Sequence, residues 1–203
     1  MGLDFSYLLY FKRDSLWEVL QNVAALARPS ELPTLVVFPD HQLSLPLKCS
    51  YEQDRLVRCD DPEFGFDTSI YFPEDEEITD YAKRLFPEYY EEMSKENPLG
   101  FPIGCIYLTV YNDLSAFHQK VRDPDLVMLE FGTPGTTMSL LFSDSTSIRE
   151  RFTGLLEEHT GVCGVFNKEN EALVFWMDGR RLDETIPNPW SSPAEIRDML
   201  KGT

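Results

Sequence analysis

The sequence predicts an α+β fold: a single domain with a mixed or largely antiparallel sheet and helices packed mainly on one face. Three observations predict it. Serine-led capping boxes mark helix starts, apolar stripes of helical period follow them, and short apolar runs bounded by turn residues lie between. The chain of 203 residues, 42% hydrophobic and 13% aromatic, is long enough to bury a real core.

The elements follow in order. "SYLLYF" near the amino end reads as a strand. Ser15-Leu16-Trp17-Glu18 is a capping box, in which the serine oxygen takes an orphan backbone N–H and the glutamate reaches back. Leu16, Val19, Leu20, Val23, Ala24 and Ala27 then recur at helical spacing, and Pro29 lies just past the end. "TLVVFPDHQLSLPL" reads as strand, turn, strand around Pro39-Asp40. "DTSIYF" and "IGCIYLTVY" read as strands on either side of an acidic helical middle, about residues 74–96. "DLVMLEF" and "TMSLLF", separated by the turn Gly132-Thr133-Pro134-Gly135, read as a hairpin. Ser147-Ile148-Arg149-Glu150 is a second capping box, with Ile148, Phe152, Leu155 and Leu156 inward and His159 and Gly161 closing the helix. "GVCGVFNKENEALVFW" reads as strand, turn, strand, and Ser192-Pro193-Ala194-Glu195 opens a short carboxy-terminal helix. A strand-helix-strand-strand unit is therefore expected at both ends, about 5–47 and 137–177, as an internal repeat of pattern rather than of identity.

Charge narrows the function. With 35 acids against 18 bases the chain carries a net charge of -17, which repels phosphate and anionic membrane surfaces and attracts cations and basic proteins. No nucleic acid and no membrane are expected as partners, and no apolar run approaches the roughly 20 residues of a membrane helix. The amino terminus reaches charge too soon for a signal peptide, so a cytoplasmic location is expected. Cys49, Cys59, Cys105 and Cys163 form no CxxC pair. A hairpin turning near Gln53-Asp54 would set Cys49 opposite Cys59, within reach of a disulfide. Four thiols are nonetheless ordinary for a reducing compartment, and four reduced thiols are the expectation.

Chemistry-bearing motifs are absent from the sequence. His41, His118 and His159 are isolated, with no HExxH, no GxSxG elbow and no phosphate loop. "DDPEFGFD" lacks the alternating oxygen ligands of an EF-hand loop. No catalytic residue, metal or cofactor is expected.

One stretch is lopsided, "YFPEDEEITDYAKRLFPEYYEEMSKENP". Residues 60–96 hold thirteen acids and three bases, ten of the seventeen net negative charges. On a helix at about 100° per residue, Ile78, Tyr81, Ala82, Leu85, Tyr89 and Met93 share one face, and Glu76, Glu77, Asp80, Glu88 and Glu91 the other. Pro87 kinks or breaks it, or starts a second helix. Asp80 with Arg84 and Glu91 with Lys95 have the spacing of helix ion pairs. A solvated outer face accounts for most of this, but the crowding of Glu76, Glu77 and Asp80 costs stability that a cationic partner would relieve. Tyr90 beside Glu91 adds interface-like composition. The candidate partner-binding residues are Glu76, Glu77, Asp80, Tyr90 and Glu91. The function expected is a non-enzymatic acidic module that binds a basic protein, in the manner of bacterial immunity or antitoxin proteins. The alternative is an enzyme or small-ligand-binding protein whose site is assembled from residues scattered along the chain.

Overall fold

"SYLLYF" is apolar at odd and at even positions, so a strand built from it needs cover on both faces. The computed structural model, which describes residues 2–49, 55–88, 90, 98–114 and 123–201, supplies that cover. The strands are β1 (Ser6–Lys12), β2 (Thr34–Val37), β3 (Gln42–Leu45), β4 (Lys48–Cys49), β5 (Leu56–Arg58), β6 (Glu63–Thr68), β7 (Tyr71–Phe72), β8 (Phe101–Pro102), β9 (Ile106–Tyr111), β10 (Leu126–Gly132), β11 (Cys163–Asn167), β12 (Ala172–Met177) and β13 (Arg180–Ile186). The helices are α1 (Leu16–Leu26), α2 (Glu76–Leu85), α3 (Thr136–Asp144), α4 (Thr146–Glu158) and α5 (Pro193–Lys201).

The main sheet has eight strands in the order β13-β12-β11-β1-β10-β9-β6-β4, with antiparallel neighbours throughout. A small sheet, β3-β2-β5, joins an antiparallel pair to a parallel one, and β7 pairs with β8. The fold is α+β, a single domain with mostly antiparallel sheets, as the sequence predicts.

The two faces of β1 head two separate cores. Tyr7, Leu9 and Phe11 pack with residues of α1, α2, α3, α4 and the small sheet. Leu8 and Tyr10 pack on the other side with Met128, Val165, Val174 and Ile196 of α5. Among the described residues four helices thus cover one face and one the other. Tyr7 centres the larger core, its ring 4.5 Å from that of Phe152 and 4.6 Å from that of Phe166, and its hydroxyl donates to the Phe142 carbonyl. Burial pushes the Tyr7 phenol well above its usual range, so it stays a donor.

Several expectations need correction. The segment 137–142, expected as a strand, is the body of α3. Its apolar residues decide this: Met138, Leu141 and Phe142 are buried while Leu140 is exposed, the i, i+3, i+4 spacing of a helix. The second end unit is therefore helix-helix-strand-strand. Its hairpin β11–β12 lies in the main sheet, whereas β2–β3 of the first unit lies in the small one, so the expected repeat is not shared in arrangement.

Capping also differs at two of three starts. Ser15 precedes α1, but a 3-10 turn at Arg13–Ser15 leads in, and the Ser15 hydroxyl donates to the Lys12 carbonyl instead of capping the helix. Ser145, not Ser147, caps α4, accepting from the Ile148 N–H at 3.2 Å. The Ser192–Glu195 box forms as expected, with Glu195 N–H on the Ser192 hydroxyl and Ser192 N–H on the Glu195 carboxylate. Cys49 and Cys59 do not face each other across a hairpin, because β4 pairs with β6 and β5 with β2. All four cysteines are unpaired thiols.

Candidate functional site: an acidic groove between two helices

The acidic helix begins where a carboxylate meets two orphan helix ends. Asp75 is the N-cap of α2, extended in backbone, with its Oδ1 accepting the Ile78 N–H at 2.9 Å. Its Oδ2 accepts the Ser147 N–H at 3.0 Å and the Ser145 hydroxyl at 2.7 Å, at the start of α4. Burial works against ionisation here, but these donors outweigh it and hold the Asp75 carboxyl below its usual value. One side chain thus fixes α2 against α4 and sets which face of α2 looks outward.

α2 ends at Leu85, with Phe86 as C-cap, so the expected helix over 74–96 stops before Pro87. Ile78, Tyr81 and Ala82 are buried, and Glu76, Glu77 and Asp80 are exposed. Leu85, expected to face inward, is exposed. It lines a groove of about 420 Å³ with Glu77, Asp80, Tyr81 and Arg84 of α2 and Leu140, Leu141 and Asp144 of α3. Leu85 and Leu140 are each 46% exposed. The groove therefore joins two solvent-facing leucines to three carboxylates and one guanidinium.

Among the described residues Glu76, Glu77 and Asp80 make no ion pair, and the expected Asp80–Arg84 pair does not form. Glu76 and Glu77 sit in the first turn of α2, where the helix dipole favours negative charge.

The five candidate residues do not all converge. Glu77 and Asp80 line the groove, and Glu76 stands exposed beside them. Tyr90 lies on the other flank of α2, where its hydroxyl donates to Glu74 at 2.7 Å, Lys83 sits 5.2 Å from its ring centroid, and Phe101 packs against it. The bond to Glu74 raises the Tyr90 pKa. Glu91 and Lys95 lie outside the described residues, as do Tyr89 and Met93. Sequence reasoning missed Asp75, Leu140 and Asp144. Reading 137–142 with helical period would have placed Leu140 and Asp144 on the outside of α3.

His41 stacks on Phe38 at 4.6 Å and bonds Asp40, and His159 caps the end of α4. Among the described residues no group of three or more histidine, cysteine, aspartate or glutamate side chains could hold a metal ion. No helix among them is long and apolar enough to cross a membrane.

Comparison with known proteins adds little. No family model and no curated protein matches the sequence. One solved structure is similar, described as the toxic C-terminal tip of CdiA from Pseudomonas aeruginosa in complex with immune protein. It shares 10% identity, covers 90% of this chain and 98% of its own, and gives a TM-score of 0.41. A likeness of that size carries no argument about this chain.

Proposed function

We propose that the chain is a non-enzymatic binding module for a basic protein, acting in the manner of an immunity or antitoxin protein, and that the α2–α3 groove is its contact surface. The observation that carries this reading is the pairing of Leu85 and Leu140 with Glu77, Asp80 and Asp144 in one concavity. Exposed leucines alone are ordinary, and acids at a helix start are ordinary. Together they complement a segment that presents lysine or arginine beside apolar side chains, such as a basic amphipathic helix. The unpaired charges of Glu76, Glu77 and Asp80 would steer such a partner and fix its register.

The test compares wild type with a variant carrying Glu76→Gln, Glu77→Gln and Asp80→Asn, and with Leu85→Ser combined with Leu140→Ser. Each is used to capture proteins from a lysate of the native host, at low and high salt. The expected result is a basic protein held by wild type, weakened at least about tenfold by either variant, with the charge variant losing most of the salt dependence. Equal capture by all three at both salt levels would sink the reading. Circular dichroism on each variant shows that the fold is kept.

A further inference from the structure

A second concavity, of about 470 Å³, has the opposite character. It lies where the chain leaves α1, beside the end of β6 and the segment 101–105. Phe86 and Phe101 supply apolar wall, and Arg28, Lys48, Thr68 and Cys105 line the rest with Asp67. Its volume is within the usual range for small-molecule sites, roughly 300–1,000 Å³.

Two features point to a ligand. Arg28 has its backbone fixed, its N–H bonded to the Ser69 carbonyl at 2.7 Å next to the Ala27–Ile70 bridge. Its guanidinium makes no ion pair or hydrogen bond among the described residues. Lys48, by contrast, is committed to Asp67 at 2.9 Å. Among the described residues two bases and one acid line the cavity, in a molecule with a net charge of -17. The neighbouring hydroxyls of Ser30 and Ser69 are occupied, by Leu32 and by the Ile103 carbonyl.

We propose that this cavity binds a small organic monoanion, a carboxylate carried on an apolar or aromatic body. The Arg28 guanidinium takes the carboxylate in its planar fork, and the wall of Phe86 and Phe101 covers the body. This site is separate from the groove and does not rest on the partner reading.

The experiment uses 4-phenylbutyrate as probe and its neutral amide, 4-phenylbutanamide, as control. Calorimetry measures binding, and peptide mass spectrometry follows iodoacetamide modification of Cys105, an exposed thiol on the cavity wall. Expected is one-to-one binding of the acid with a Kd of about a millimolar or below, slower modification of Cys105 when it is bound, and about tenfold weaker binding of the amide. Arg28→Gln, at an exposed position, should bring acid and amide to equal affinity. No binding of the acid, equal binding of acid and amide to wild type, or undiminished preference for the acid in Arg28→Gln would each overturn the proposal.

Discussion

At Asp75 a single carboxylate serves the amino ends of two helices. Asp75→Ala removes the cap of α2 and the acceptor for Ser145 and Ser147, and should destabilise by about 2 kcal/mol, roughly two capping interactions. Asp75→Asn keeps an acceptor for Ile78 but turns an amide toward the α4 donors, so its loss should fall between alanine and wild type. The carboxyl is held below its usual value when folded, so its contribution is present above the unfolded value of about 3.9 and is lost as pH falls through the lower folded value. Urea unfolding from pH 7 to pH 3 should show the gap between wild type and Asp75→Asn closing on the acid side. A constant gap would mean the charge is not what matters. Gly164 makes a second point at this scale. A Cβ there would lie 2.6 Å from Leu156 Cδ1 and 2.7 Å from Phe175 Cζ. Gly164→Ala should cost about 1–3 kcal/mol by overpacking, read as a lower unfolding midpoint. Neither role was legible in sequence, because both partners come from elements brought in by the fold. The capping boxes show the same limit: Ser145 and Ser147 are both acceptable caps locally, and the Asp75 contact decides between them.

Helices were legible where one face alone is buried. The stripe of α1 and the Ile78, Tyr81, Ala82 face of α2 are buried where the period puts them. α3 was missed because its buried set is short and its flank, Leu126–Gly132, is a true strand that invites a hairpin partner. β13 gave no signal, since of its residues only Ile186 is buried and its pairing with β12 is what holds it. Half of the groove was therefore visible, the α2 half, and the α3 half was not. What holds α3 in place is Ser139, buried, whose hydroxyl accepts the Phe5 N–H at 3.1 Å, donates to the Leu3 carbonyl at 2.7 Å and meets the Thr133 hydroxyl at 2.7 Å. Ser139→Ala should cost about 1–3 kcal/mol, because it strands the Phe5 N–H. Hydrogen exchange should show that loss as faster exchange at Phe5 and the first turn of α3. Unchanged exchange there would show that α3 is held by its apolar face alone.

Across the whole molecule, charge rather than packing sets the response to solvent. The described surface ion pairs engage Lys48, Arg149, Arg181, Arg197 and Lys201 with six acids, Asp67, Asp183, Glu150, Glu157, Asp178 and Asp198. Each such exposed pair contributes about 0–1 kcal/mol, and salt weakens it. Against them stands an excess of seventeen acids over bases, 35 minus 18, whose mutual repulsion opposes the compact state and is also weakened by salt. The excess is the larger quantity, so repulsion should win. Raising monovalent salt from about 10 mM to about 150 mM shortens the screening length from roughly 30 Å to roughly 8 Å, and the urea midpoint should rise. Replacing Glu76, Glu77 and Asp80 by Gln, Gln and Asn removes three of the unpaired charges, so the variant should be the more stable at 10 mM and should respond less to salt. A midpoint that falls with salt would show that the attractive pairs dominate. The same change in salt should weaken capture of a basic partner, because there the charges attract. Folding and binding should thus answer salt with opposite signs, and a partner held more tightly as salt rises would not be bound through this groove.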